Sequence, residues 1–216
     1  MVVTFDEFQE VISYGGDAFE KSLRKFIQRH DRISDIFAGS QRHLITEMFN
    51  DRKRALYMLA ASYPLGKIET IHYLACVKEL YGKARREIEE KFIEDVVKRC
   101  ENDPMYIQES FFNLWVKKKL SFELLDKVER NLLEKWVPEY SYLWDSLTLN
   151  QKRALKLIAG TNGKNIFAAE NLDRFGFRTA SQLVAALSGI GRMGILDKNK
   201  DWKIHDPFFT RWLLLP

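Results

Sequence analysis

Cysteine is nearly missing from this chain: Cys76 and Cys100 are the only two in 216 residues. They lack the paired spacing of a zinc site and are too few for a disulfide framework, which points to a reducing compartment. The four histidines (30, 43, 72 and 205) are scattered, and nothing resembles a metal cluster or a Ser/Cys triad. No apolar run approaches the roughly 20 residues of a membrane span, and the N-terminus lacks the basic-then-apolar layout of a signal peptide. A cytoplasmic location is therefore the expectation. A phosphate-binding loop is also missing, since G-x-x-x-x-G-K-[S/T] occurs nowhere in the chain. Two glycine patterns come near it or near a dinucleotide turn. Gly160-Thr-Asn-Gly163-Lys164-Asn165 lacks the spacing and places Asn165 where Ser or Thr should reach Mg²⁺. Gly189-Ile-Gly191-Arg-Met-Gly194 satisfies G-x-G-x-x-G but leaves a helix and enters a strand, the reverse of the order a dinucleotide turn needs.

What is present is an ordinary globular mixture, 46% hydrophobic and 30% charged, in a chain large enough to bury a core without staples. Net charge is +4 but unevenly placed. From Ser146 onward eleven Lys/Arg face five Asp/Glu, a segment charge of +6, which leaves −2 for the rest. The C-terminal third is thus the part suited to an anionic partner.

The first ten residues carry the most chemistry. Val2, Val3, Thr4 and Phe5 read as a buried strand that ends in adjacent carboxylates, Asp6 and Glu7, followed by Phe8, Gln9 and Glu10. Carboxylates just past the C-terminal edge of a strand lie where open α/β sheets bind ligands. One can hold Mg²⁺ through water while its neighbour orients or deprotonates an attacking water. Val11 to Gly16 reads as a connection. Apolar residues at helical spacing (Phe19, Leu23, Phe26, Ile27) then predict a helix over 17–29, and Ile33 to Ala38 a second strand ending in Gly39-Ser40. Ser40 and Gln41 are polar groups at this strand end, and Ser40 also reads as the cap of the next helix. Arg52 and Arg54 lie in a basic turn and have the side chain suited to phosphate charge. Ser62-Tyr-Pro-Leu-Gly66 marks a break.

From Lys67 to Trp144 the chain reads as all helix. Ile68, Ile71, Leu74-Ala75 and Val77 form one apolar stripe, and Ile88, Phe92-Ile93 and Val96-Val97 a second. Asn102 or Asp103 caps a helix that starts at Pro104, and a further helix over 121–136 ends at Pro138. Beyond it, Thr148 opens an amphipathic helix that runs to Gly160. A short helix over 167–175 follows, then a third capped by Thr179, and 194–204 reads as strand, turn, strand. Three helices and a basic-tipped hairpin make a winged helix-turn-helix. Such a module lays its third helix in a DNA groove and its wing on the backbone. That makes Arg178, Ser181 and Gln182 candidate groove contacts, and Arg192, Lys198, Lys200 and Lys203 candidate phosphate contacts.

Taken in order, these features resemble the archaeal-type P-loop ATPases on the AAA+/STAND side of that superfamily. The resemblance rests on Asp6-Glu-Phe-Gln-Glu10, on the strand ending in Gly39-Ser40, and on the Pro104 turn, where Asn102 replaces the family's glycine. It rests also on the closing His205-Asp-Pro-Phe-Phe-Thr-Arg-Trp212. It implies an α/β fold class, a P-loop-type parallel sheet over 1–66, a helical lid over 67–144 and a winged-helix domain over 145–216. It further implies ATP and Mg²⁺ as cofactors. Asp6 would be the metal-side carboxylate, Glu7 the base, Ser40 the sensor and Arg54 a phosphate contact, with Asn102, Asp103 and Pro104 near adenine. Because the phosphate loop is missing, the expectation is the C-terminal part of such an ATPase, with little or no activity alone. Its partners would be DNA, the phosphate-binding half, or further copies of itself. The alternative is a non-catalytic DNA-binding or adaptor protein that acts through its winged helix.

Overall fold

The computed structural model describes residues 1–198 and 201–215, and these divide into two compact units, 1–65 and 66–216. In the first unit, β1 (Val2–Phe5) and β2 (Ser34–Phe37) pair in parallel, Val2 opposite Ser34 and Phe5 opposite Phe37. A parallel pair needs a crossover, and α1 (Gly16–Ile27) supplies it. The segment read as a plain connection contains a 3-10 helix over Phe8–Ser13, because Phe8 and Val11 are needed inside. After β2 comes α2 (Arg42–Asn50). Phe8, Val11, Met48, Phe49 and Leu56 form the core, with the Phe5 and Phe37 rings closing over it. Strand alternation puts Phe5 and Phe37 on the covered face and leaves Val2, Thr4, Ser34 and Ile36 exposed.

The inner face of α1 is held by polar contacts as well as apolar ones. Glu20 is buried, and its carboxylate pairs with the Arg54 guanidinium. Arg24 donates to the carbonyls of Ala55 (2.6 Å) and Tyr57 (3.0 Å). These bonds fix the irregular 51–60 segment to the helix. They also give Arg54 a structural partner.

The second unit is helical, with α3 (Thr70–Lys83), α4 (Glu90–Arg99), α5 (Pro104–Trp115) and α6 (Phe122–Ser146). The apolar stripe expected on α3 shifts, because Ile68 precedes the helix and Ile71 is exposed, while Val77 and Tyr81 are buried. Asp103 is the cap of α5, accepting from the N–H groups of Met105 and Tyr106. The expected stop at Pro138 is overturned: α6 runs through it to Ser146. A proline inside a helix costs about 3 kcal/mol. The apolar series Leu125, Val128, Leu132, Trp136, Tyr140, Leu143 continues across it at three- and four-residue spacing, and burial of that series offsets the cost.

The same core continues into α7 (Leu149–Thr161), α8 (Ala169–Arg174), α9 (Ala180–Arg192), the antiparallel hairpin β3 (Leu196–Lys198) and β4 (Trp202–Ile204), and α10 (Pro207–Leu213). Caps set these boundaries. Thr148 and Gln151 form a capping box on α7, Thr179 caps α9, and Asp206 caps α10 through the N–H groups of Phe208 and Phe209. Phe208 stacks on Tyr106 at 4.1 Å. The Asp206 carboxylate accepts hydrogen bonds from the hydroxyls of Tyr106 (2.7 Å) and Tyr140 (3.2 Å), so the C-terminal helix is bound to α5 and α6. No helix among the described residues is long and apolar enough to cross a membrane.

Candidate functional site

The two parallel strands end side by side. Ala38 N–H donates to Phe5 O (2.8 Å) and Phe8 N–H to Ala38 O (2.9 Å), so the chain just past β1 is held against the chain just past β2. Between those two bonds Glu7 takes a left-handed conformation (φ 46°), uncommon for a residue with a Cβ. This turn exposes the carboxylate at the strand ends and buries the side chains of Phe8 and Gln9 on either side.

The Glu7 carboxylate accepts two hydrogen bonds on Oε2, from the Gln9 amide and from the Ser40 hydroxyl at 2.8 Å. These donors, Gln9 first, hold its pKa below the ordinary carboxylate value. Asp6 is exposed, and its Oδ1 accepts the N–H of Glu7 at 2.9 Å. Asp6, Glu7 and Ser40 therefore meet at one rim, and Gln9 joins them. Gln9 stands in the same five-residue motif, but its role depends on the turn at Glu7 that buries it. With its Nε2 bonded to a carboxylate, its Oε1 faces inward without a hydrogen-bond partner. A Cβ on Gly39 would lie 2.1 Å from that oxygen and 2.9 Å from Ile45 Cδ1, which explains the glycine ahead of Ser40.

Arg54 is not in this group, because its guanidinium pairs with Glu20 and, at 3.4 Å, with Glu47. Asn102, Asp103 and Pro104 lie in the second unit. Glu101 and Asn102 are both left-handed there (φ 50° and 60°). Asn tolerates this conformation better than most residues with a Cβ, and its amide donates to Ile68 O at 2.9 Å. No group of three or more His, Cys, Asp or Glu among the described residues converges as a metal cluster. Asp6 and Glu7 suit one side of a hydrated Mg²⁺ whose remaining ligands are phosphate oxygens. These 216 residues contain no G-x-x-x-x-G-K-[S/T] loop, the segment whose backbone N–H groups and lysine grip the phosphates in P-loop proteins. A carboxylate already accepting two hydrogen bonds is also a weakened base.

On the winged helix, the outward residues of α9 are Ser181, Val184, Ala185, Ser188 and Arg192, a face with few base-reading groups. The Gln182 carbonyl oxygen accepts the Arg178 N–H at 3.1 Å and is engaged at the N-terminal turn. Arg178 and Arg192 are exposed. Lys203 pairs with Glu101 at 2.5 Å, on the turn before α5. Lys200 lies outside the described residues, as does the side chain of Lys198.

A family model described as a probable winged helix domain matches residues 138–214. No curated protein matches the chain. Among solved structures, the Walker-type ATPase of Pyrococcus abyssi superposes with a TM-score of 0.71 at 18% sequence identity, covering 99% of this chain. This chain spans 63% of that protein's length. The class defined is thus a Walker-type ATPase-like fold that ends in a winged-helix domain, and at this identity the likeness is one of fold.

Proposed function

We propose that the chain provides the acidic, sensor-side part of a P-loop ATPase of the archaeal AAA+/STAND type, and that its winged helix meets DNA or a protein partner. The observation that carries this reading is the bond from Ser40 to Glu7 across the C-terminal ends of two parallel strands. A hydroxyl that shares the putting-in-place of a carboxylate at that rim can report on a phosphate and align a water. In this reading Asp6 is on the metal side and Glu7 orients the water. The grip on the phosphates comes from a G-x-x-x-x-G-K-[S/T] segment that these 216 residues do not contain.

The test is to read the coding sequence just ahead of Met1 and to assay ATP hydrolysis with the encoded segment joined to the chain. The expected result is an in-frame phosphate loop. Hydrolysis then appears in the joined protein and falls by about 100-fold or more in Glu7→Gln. Unrelated upstream sequence, or a Glu7→Gln protein as fast as its parent, overturns it. The second reading, a non-catalytic winged-helix adaptor, is favoured by the Gln9 and Ser40 bonds that occupy Glu7. It expects salt-dependent duplex binding by the full chain that is indifferent to Glu7→Gln.

A further inference from the structure

The outer face of α5 and the loop after it carry an exposed set of rings and cations that neither the strand-end site nor the winged helix uses. Phe112 is 76% exposed, and Trp115 and Phe122, on either side of the loop, are 41% and 43% exposed. Singly exposed rings are ordinary on a protein surface; what sets these apart is the run of cations between them. Between them run Lys117, Lys118 and Lys119, all exposed, and their ammonium groups form no ion pair among the described residues.

The loop is not loosely hung. Arg86 donates to the carbonyls of Trp115 and Lys117 and lies over the Trp115 ring at 5.2 Å, so it fixes the end of α5 and adds a fourth positive charge behind the lysines. Glu123 is the acidic residue nearest in sequence, and its carboxylate is engaged by the Ser121 hydroxyl. On the same helix Gln108 is exposed, while the Asn113 amide donates to Glu109 O at 2.7 Å.

We propose that this surface binds single-stranded nucleic acid, with Lys117, Lys118 and Lys119 on the phosphates and Phe112, Trp115 and Phe122 stacking on bases. Aromatic platforms beside free lysines are the pairing that single strands require, because every base has a stacking face and every nucleotide a charge. The exposed Gln108 amide suits a base edge, and it would be stripped of water if the same face entered a bilayer. The apolar area is mostly separated rings, where a groove for a partner helix would present a continuous aliphatic seam.

The test uses the full chain and a fluorescein-labelled oligothymidine of about 20 nucleotides, read by anisotropy, beside a duplex of equal length. Three phosphate contacts on a single strand give a log–log salt slope of about −2, which is about a twentyfold loss between roughly 50 and 200 mM salt. Reversing the loop charges (K117E/K118E/K119E) should remove oligothymidine binding while duplex binding persists. Phe112→Ala should weaken it by about tenfold or more. Both changes lie on the surface, and an unchanged thermal transition shows that the variants fold. Binding of oligothymidine unaffected by the charge reversal, or no binding at low salt, overturns the proposal. Charge-sensitive binding to anionic vesicles or to an acidic amphipathic peptide in place of oligothymidine also overturns it, by giving the surface to that partner.

Discussion

Replacing Asp206 by alanine should destabilise the second unit by about 2–4 kcal/mol. Its carboxylate does two jobs. Oδ1 caps α10 through the N–H groups of Phe208 (2.8 Å) and Phe209 (2.9 Å), and Oδ2 receives the hydroxyls of Tyr106 (2.7 Å) and Tyr140 (3.2 Å). Losing the cap costs about 1 kcal/mol. The two hydroxyls, 2.7 Å apart, can still bond each other, so one buried O–H is left without an acceptor, at about 1–3 kcal/mol. The sum is about 2–4 kcal/mol, against a typical domain stability of about 5–15. Asp206→Asn keeps the cap acceptor and should lose only about 1 kcal/mol. The assay is urea unfolding followed by tryptophan fluorescence. All five tryptophans (115, 136, 144, 202 and 212) lie beyond residue 65, so the signal reports this unit alone. With m near 2 kcal/mol/M the midpoint should fall by about 1–2 M at constant m. The reasoning also fixes a pH dependence. Burial, with Asp206 beside them, raises both tyrosine pKa values above the ordinary range. The unfolded tyrosines ionise near pH 10 while the folded ones hold their protons. Stability is therefore full below about pH 10 and declines above it, and Tyr106→Phe should flatten that decline. An Asp206→Ala midpoint within about 0.3 M of the parent, at unchanged m, would refute the account.

Three further outcomes follow from the same coordinates. Arg54→Met leaves the buried Glu20 carboxylate unpaired and should cost about 3–5 kcal/mol, seen as faster hydrogen exchange over 16–57, whereas Glu20→Met leaves the partly exposed Arg54 with Glu47 and should cost less, and the double change should recover much of the larger loss. Gly163→Ala should unfold the wing, because Gly163 is left-handed (φ 72°) and an added Cβ would lie 1.7 Å from the Trp202 carbonyl oxygen; loss of hairpin amide protection measures it. Gly39→Ala should push the Gln9 amide off Glu7 and cost about 1–3 kcal/mol, and Gln9→Ala in the same chain should restore room, as a urea series would show.

The parts of the fold legible in the sequence are those fixed by local chemistry. Four apolar, β-branched or aromatic residues make β1, and Thr148 with Gln151, Thr179 and Asp103-Pro104 announce three helix starts at the residues where they occur. What the sequence hid depends on distant residues. Pro138 reads as a stop until Tyr140 is seen bonded to Tyr106 and Asp206, 34 and 66 positions away. Glu20 and Arg54 lie 34 apart and look like two solvated charges. The pairing of Ser40 with Glu7 was open in the sequence, since a serine ahead of a helix is equally a cap; in the structure its hydroxyl goes to the carboxylate, and Gln41 stands at the helix start without a side-chain cap bond.

A ligand that uses the residues singled out by sequence must exchange for bonds already made, and the size of each exchange separates the sites. At Lys203 a phosphate replaces one exposed ion pair, worth about 0–1 kcal/mol, so its pairing with Glu101 hardly opposes backbone contact. At α9 the obstacle is composition. Gln182 is engaged at the N-terminal turn, and the outward Ser181, Val184, Ala185 and Ser188 offer few groups to a base edge. Duplex contact by this winged helix should therefore be carried by phosphates and vary little with sequence. At Glu7 the Gln9 amide and the Ser40 hydroxyl share a single oxygen, Oε2, and the Ser40 backbone N–H also bears on the carboxylate. A ligand that needs both carboxylate oxygens must therefore compete with donors already in place, while Gln9 and Ser40 hold the group at the rim.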